Sequence, residues 1–142
     1  VARFGAEFDA DKIKVTDGDE LPFAGEMFDV VIDRSSLGQN RAEQIPGLVA
    51  EIYRVLKPGG TYFGINFSDH HSDLHRGRNY GAGDFADFDI GNLKDIGIRH
   101  FFSVAEIFDL FTRFEIEDIR VLDNRSLFDK GNNQQLVVVA SK

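Results

Sequence analysis

The sequence predicts an α/β fold built around a mostly parallel sheet. Three stretches carry this prediction: an apolar run at residues 28–32, an amphipathic segment that ends at residues 57–60, and a second apolar run at residues 61–67. The first run is short and rich in β-branched residues, as expected of a strand covered on both faces. A strand, a helix and a strand in this order form a parallel crossover unit.

The helix of this unit is predicted from its apolar stripe. Such a stripe faces the core of a globular protein. It consists of residues at helical spacing: Ile45, Leu48, Val49, Ile52 and Leu56. The sequence Lys57-Pro58-Gly59-Gly60 then ends the helix, because proline cannot continue it and glycine accepts a positive φ.

The flanking elements follow from patterning and capping. Residues 12–16 alternate polar and apolar, which predicts a strand exposed on one face. The polar segment 68–100 follows the carboxyl end of a predicted strand, where open α/β sheets bind ligands. Ser103 and Glu106 have the spacing of a capping box and predict a helix that continues to about Phe114.

Composition limits the class of protein. The chain of 142 residues fits one domain over 1–142, with residues 115–122 and 136–140 as its last strands. Its net charge of −8 disfavours nucleic-acid binding, which depends on basic side chains. It has no cysteine and no run near the roughly 20 apolar residues of a membrane helix. We therefore expect a cytoplasmic protein without nucleic-acid or membrane partners.

Three phrases in order resemble one enzyme family. They are Leu21-Pro22-Phe23, Phe28-Asp29-Val30-Val31 and Arg54-Val55-Leu56-Lys57-Pro58-Gly59-Gly60. The chain resembles the class I S-adenosylmethionine-dependent methyltransferases, and within them the small-molecule branch that includes ubiquinone and menaquinone methyltransferases. The resemblance covers nearly the whole chain, although its phrases lie in the first half. It implies a Rossmann-like sheet ending in an antiparallel strand pair, S-adenosylmethionine as cofactor, a small-molecule acceptor and a substrate-side insertion at 68–100.

The resemblance also implies an incomplete amino-terminal part. Members of the family open with a strand, a glycine-rich turn and a helix, followed by a strand that ends in an acidic residue, and neither element is found here. The chain is therefore expected to be the C-terminal portion of the fold, a fragment that binds the cofactor weakly or not at all and is inactive alone. Residues 28–32 would then form an exposed sheet edge, through which a homodimer could form.

The cofactor site implied by the family starts at Asp17. Family members place there the acid that accepts a hydrogen bond from the adenine amino group, and Gly18 would let the backbone approach the ring. Asp17 and Gly18 also read as a simple turn pair. Leu21 would be core or a wall of the adenine pocket. Asp33 and Arg34 follow the strand whose end faces the sulfonium in the family, although Asp33 could instead cap the loop or pair with Arg34.

No catalytic residue is identified by the sequence. His70, His71 and His100 are candidates for a general base, because histidine titrates near neutrality. Each could equally be an exposed loop residue or, for His100, a packing residue. A metal site needs three or more convergent ligands, and none is predicted. Methyl transfer depends first on positioning and desolvation, so the lack of a catalytic dyad does not exclude it.

Two other functions stay open. In one, the chain is a non-catalytic, truncated methyltransferase-like domain that acts as a dimerisation or interaction module. In the other, it is a Rossmann-like enzyme that uses a nicotinamide cofactor. The absence of a Gly-x-Gly-x-x-Gly sequence disfavours the second.

Overall fold

A computed structural model describes residues 13–16, 20–90, 93–125 and 132–142. In chain order its elements are β1 (Phe28–Arg34), a 3₁₀ helix (Leu37–Gln39), α1 (Ile45–Val55), β2 (Leu56–Phe67), a second 3₁₀ helix (Ser72–Arg76), β3 (Arg78–Gly81), β4 (Asp84–Ala86), β5 (Arg99–His100), α2 (Val104–Leu110), β6 (Glu115–Arg125) and β7 (Asn132–Ser141).

The principal sheet contains four strands in the order β1-β2-β7-β6. β1 and β2 are parallel and are joined through α1, whereas β7 pairs antiparallel with both β2 and β6. The α/β class and the antiparallel pair at the carboxyl end are confirmed. Within the described residues β1 and β2 are the only two strands that pair in parallel, so the described part of the sheet is mixed rather than mostly parallel.

The predicted stripe of α1 faces the core. Ile45, Val49, Ile52 and Val55 are buried, and Leu48 is half-buried. All of these except Val55 belong to one cluster with residues from β2, β7 and α2, including Tyr62, Leu136 and Ile107. The helix ends at Val55, one residue before the predicted Leu56, because the backbone at Leu56 already has the extended conformation of β2. Gly59 has the positive φ of +74° that the glycine pair predicts.

β1 departs from the prediction of a strand buried on both faces. Within the described residues it pairs with β2 alone, and the side chains of Val30 and Ile32 are 53% and 73% exposed. The prediction was wrong because an apolar run indicates a strand that is suited to burial, but it does not show that other parts of the described chain cover both faces of that strand. The exposed sheet edge that the resemblance implied is present in this part of the chain.

Residues 68–100 contain more regular structure than their polar composition predicts. β3, β4 and β5 form a three-stranded antiparallel sheet. It has a separate apolar cluster formed by Phe85, Phe88, Leu93 and Phe101, against which Phe67 and Leu74 pack. The second cluster explains part of the phenylalanine content of the chain.

Two smaller predictions were also wrong. Residues 13–16 form no strand, and Val15 is almost fully exposed; Lys12 lies outside the described residues. α2 begins at Val104 as predicted but ends at Leu110, before Phe114. Among the described residues, no helix has the length and apolar content needed to cross a membrane.

Candidate functional site

A cleft opens at the carboxyl end of β1. Its volume is about 440 Å³. One wall is apolar and comes from Leu21, Val31, Leu37, Leu48 and Ile52, while Asp33, Ser36, Gln39 and Asn40 provide polar groups. The cleft lies at the carboxyl end of a strand, as ligand sites of open α/β sheets do, but none of its lining residues comes from the segment 68–100 for which the sequence predicted ligand binding.

Asp33 lies at the polar end of the cleft, although its side chain is only 5% exposed. One carboxylate oxygen accepts hydrogen bonds from the Tyr62 hydroxyl (3.1 Å) and the Asn66 amide (2.7 Å). The other accepts the Ser36 N–H at 2.7 Å. Burial first, and then the charge of Asp33, raise the pKa of the Tyr62 hydroxyl well above its ordinary value, so Tyr62 is the donor.

The turn after β1 is fixed by β2. Ser35 has a positive φ of +61°, and its N–H donates to the Ile65 carbonyl at 2.8 Å. The Asn66 side-chain oxygen accepts the Gly38 N–H at 3.3 Å. A Cβ on Gly38 would lie 3.1 Å from the His100 carbonyl oxygen, which explains the glycine at this close approach. The polar end of the cleft is thus built from two strands and a tight loop.

The Leu21 wall is held by two side chains of α1. The Glu51 carboxylate accepts the Leu21 N–H at 2.9 Å, and Arg54 donates to the carbonyls of Leu21 (3.0 Å) and Phe23 (2.9 Å). Arg54 also pairs with Glu51 at 2.7 Å. Its hydrogen bonds lower the pKa of Glu51, which keeps the carboxylate ionised. The first and the third of the phrases that resemble the enzyme family are therefore in direct contact.

The predicted cofactor residues have different placements. Leu21 and Asp33 both line the cleft. Arg34 is exposed at the end of β1 and is not among the residues that line the cleft. Asp17 and Gly18 lie outside the described residues. The carboxylate of Asp33 does cap the loop, through Ser36, as the alternative interpretation held.

Two of the histidine candidates lie side by side in different surroundings. The His70 side chain is 76% exposed and pairs with Asp69 at 2.7 Å. His71 is buried; its Nδ1 accepts the Asp73 N–H at 3.1 Å, and its Nε2 donates to the Asn133 side-chain oxygen. Burial lowers the pKa of His71. These two partners require a neutral ring with its proton on Nε2.

His100, the third candidate, has no exposed surface. Its Nδ1 is 2.8 Å from Asp84 and its Nε2 is 2.8 Å from Glu106. Burial alone would lower the pKa of His100, but the hydrogen bonds and charges of Glu106 and Asp84 outweigh it and raise that pKa. Both ring nitrogens are engaged inside the protein.

Sequence reasoning missed the partners that organise these groups. Tyr62 and Asn66 are polar residues four apart in β2, so they share one face of an otherwise apolar strand. That spacing was the available signal for a polar patch on β2, but it did not point to Asp33. No comparable signal marked Asp84 and Glu106. Within the described ranges, no group of three or more His, Asp or Glu side chains is arranged to hold a metal ion.

Comparison with known proteins gives one family match. The family described as methyltransferase domain matches residues 2–64, which include β1, α1 and the first part of β2. No curated protein matches the chain. A S-adenosylmethionine-dependent methyltransferase of Methanosarcina mazei has the same fold with a TM-score of 0.72 and 24% identity, over 91% of this chain and 66% of that one.

Two further solved structures have this fold at lower identity. The first is the 1,6-didemethyltoxoflavin-N1-methyltransferase of Burkholderia thailandensis, solved with 1,6-didemethyltoxoflavin and S-adenosylhomocysteine (TM-score 0.60, 19% identity, 84% of this chain and 46% of that one). The second is a S-adenosylmethionine-dependent methyltransferase of Mesorhizobium loti (TM-score 0.63, 16% identity, 89% of this chain and 67% of that one).

This chain thus spans between about half and two thirds of the length of these three structures. It has the Rossmann-like fold of the S-adenosylmethionine-dependent methyltransferases and carries a methyltransferase-domain match over residues 2–64.

Proposed function

We propose that the protein transfers a methyl group from S-adenosylmethionine to a small-molecule acceptor and that the cofactor binds in the cleft at the end of β1. The observation that carries this proposal is that the cleft and the family match occupy the same part of the chain. Every residue that lines the cleft, from Thr16 to Ile52, belongs to the stretch that matches the methyltransferase domain. Fold alone would not support an activity, because one fold hosts many functions.

The residues of the cleft fit this cofactor. Its volume of about 440 Å³ lies in the range of roughly 300–1,000 Å³ typical of small-molecule sites. The apolar wall at Leu21, Leu48 and Ile52 suits an adenine ring. Asp33 gives the polar end a negative charge, which favours a cationic group nearby. The bound cofactor would supply an electrophilic methyl group on a sulfonium.

Each predicted residue has a role in this proposal. Asp17 would accept a hydrogen bond from the adenine amino group, and Gly18 would allow the backbone to approach the adenine ring. Leu21 would cover one face of the ring. Because three donors already occupy the Asp33 carboxylate, Asp33 would act through its charge and by fixing the loop. Arg34 would lie at the rim, where its guanidinium could meet a carboxylate of the ligand.

A small acceptor would enter on the side of the three-stranded sheet. The Burkholderia structure contains bound 1,6-didemethyltoxoflavin together with S-adenosylhomocysteine, which supports a small-molecule acceptor. His70 is the exposed one of the three histidine candidates, so a base acting on the acceptor would be His70. His71 and His100 would hold the surrounding segments in position.

Calorimetric titration of S-adenosylhomocysteine into the intact protein tests the proposal. We expect binding in the micromolar range, weaker binding to residues 1–142 alone, and roughly a tenfold loss of affinity in Asp17→Ala, the cost of one hydrogen bond to a charged group. Asp109→Ala, an exposed aspartate on α2, is the matched control and should bind like the wild type. Failure of the intact protein to bind would refute the proposal.

The alternative of an interaction module stays a second proposal, with a second copy of this chain as partner. The observation that favours it is the edge of β1, where Val30 and Ile32 are exposed and β2 is the one neighbour in the described part of the chain. Light scattering over a concentration series should then find a dimer that Ile32→Lys converts to a monomer. A wild-type monomer at every concentration would refute it.

A further inference from the structure

His100 joins three parts of the molecule that are distant in sequence. It lies on β5, and its two ring nitrogens contact Asp84 on β4 and Glu106 on α2, each at 2.8 Å. Asp84 in turn accepts the Ala42 N–H through both carboxylate oxygens at 3.1 Å. A single buried ring therefore connects the three-stranded sheet, α2 and the loop that precedes α1.

The geometry favours a doubly protonated ring. A carboxylate only accepts hydrogen bonds, and a neutral imidazole has one N–H donor. With a carboxylate oxygen at 2.8 Å from each nitrogen, a neutral ring would direct one lone pair at another lone pair. An imidazolium satisfies both contacts, and its charge is balanced by the two carboxylates in an environment with little solvent.

The loop that this cluster holds is part of the cleft. Gln39 and Asn40 line the cleft immediately before Ala42, and α1 begins at Ile45. Gly38 lies against the His100 carbonyl, so the backbone of β5 also touches the start of this loop. A change at His100 thus reaches the cleft through the Asp84–Ala42 bond and through direct contact.

We propose that His100 is a positioning residue: as an imidazolium between Asp84 and Glu106 it locks the three-stranded sheet and α2 onto the loop at the mouth of the cleft, and the lock loosens when His100 loses its proton. The lock itself is a property of the fold. Its bearing on cofactor binding rests on the proposed function.

The groups around His100 determine how the stabilising contribution of its contacts depends on pH. Asp84 and Glu106 are the titratable groups in contact with its ring in the described structure, from β4 and α2; the Phe102 ring packs at 4.5 Å between centroids, and Gly83 approaches the ring edge. Because these contacts favour the charged form, their stabilising contribution is complete below the ordinary pKa of histidine. It is lost as the pH rises through the raised pKa in the folded protein.

The test combines histidine ¹⁵N spectroscopy with amide hydrogen exchange on the intact protein. At about pH 6.5, the ordinary pKa of histidine, we expect both nitrogens of His100 to be protonated. The Ala42 amide, corrected for intrinsic exchange, should then lose protection by about tenfold or more as His100 deprotonates. The chemical shift of the Asn40 amide should change with pH and should have the same midpoint. His100→Gln should abolish the transition.

Glu106→Gln is a second variant that leaves the Asp84–Ala42 contact in place, and it should move the midpoint to lower pH. Asp109→Asn removes the same charge from an exposed position on the same helix, and it should leave the midpoint unchanged. A neutral His100 ring at about pH 6.5, or Ala42 exchange without a midpoint, would overturn the lock. If the lock is observed but S-adenosylhomocysteine does not bind at any pH, the proposed function fails and the inference about His100 stands.

Discussion

Asp33 accepts three hydrogen bonds at the polar end of the cleft, from Ser36, Tyr62 and Asn66. We predict that Asp33→Asn lowers the free energy of unfolding by about 2–4 kcal/mol, because an amide nitrogen would face buried donors that then lack an acceptor. Urea denaturation followed by circular dichroism measures this change.

Asp29 provides the matched control on the same strand. Its carboxylate is exposed and pairs with Lys57 at 2.8 Å on the surface. Asp29→Asn should change stability little, because solvent screens such a pair. Equal effects of the two substitutions would show that the Asp33 cluster contributes no more than a surface ion pair does.

We predict that His71 makes the stability of the protein depend on pH with the opposite sign to that of His100. Burial lowers the pKa of His71, so below about pH 6.5 the unfolded chain takes up a proton that the folded protein resists. Stability is complete above that pH and falls as the pH drops toward the lowered pKa. The fall contributes up to about 1.4 kcal/mol per pH unit.

The neighbouring histidine separates this effect from general acid sensitivity. His71→Gln should flatten the decline in the free energy of unfolding between about pH 6.5 and 5, as measured by urea denaturation at each pH. His70→Gln makes the same chemical change one residue earlier, on an exposed side chain, and should leave the decline intact. An unchanged pH profile in His71→Gln would contradict the assignment of a neutral buried ring.

The loop that carries Leu21 and the helix α1 act as one unit. Arg54 and Glu51 bind the Leu21 N–H and the carbonyls of Leu21 and Phe23. Because Arg54 makes these contacts with a planar fork of donors, lysine cannot replace it at this site. We predict that Arg54→Lys accelerates hydrogen exchange of the Leu21 amide and weakens S-adenosylhomocysteine binding, since Leu21 is a wall of the cleft.

Arg113→Lys is the control for that substitution. Arg113 follows α2, and its guanidinium lies 4.0 Å from the centre of the ring of Tyr53 on α1. Within the described residues, no hydrogen bond joins Arg113 to the Leu21 loop. It should leave Leu21 exchange at the wild-type rate. If Arg54→Lys also left it unchanged, the contact between the two phrases would have no role in holding the cleft.

The elements that could be predicted were those with a regular period or a local cap. The stripe of α1 repeats over three turns, and the Ser103 side chain accepts the Glu106 N–H as the capping spacing predicts. The other half of the capping box does not form, because the Glu106 carboxylate contacts His100 instead. Local spacing therefore predicted where α2 begins but not what the glutamate does.

Over the whole chain, prediction failed where structure depends on contacts distant in sequence. β3, β4 and β5 contain four, three and two residues, too few for a period to be recognised. Tyr62 and Asn66 follow Asp33 by 29 and 33 residues, so no local pattern joins them. The strand–helix–strand order predicted a ligand site at the carboxyl end of a strand, but not that the cleft would lie at β1 rather than at the segment 68–100.

Two apolar clusters, one under each sheet, predict unequal local stability across the molecule. β2 is paired on both sides, whereas β3 is short and exposed. Amides of Gly64 and Val138, which face each other in β2 and β7, should therefore exchange far more slowly than those of Asn79 and Phe85 in the small sheet.

A pair of buried phenylalanines tests whether the clusters open separately. Phe101 belongs to the cluster of the small sheet and Phe111 to that of the principal sheet. Phe101→Leu should accelerate exchange at Asn79 and Phe85 and leave Gly64 and Val138 unchanged, because their opening requires loss of the principal core. Phe111→Leu should accelerate all four, since it lowers global stability. If both substitutions accelerated the four amides equally, the two sheets would unfold as one cooperative unit, and the lock at His100 would stabilise the whole molecule rather than one side of the cleft.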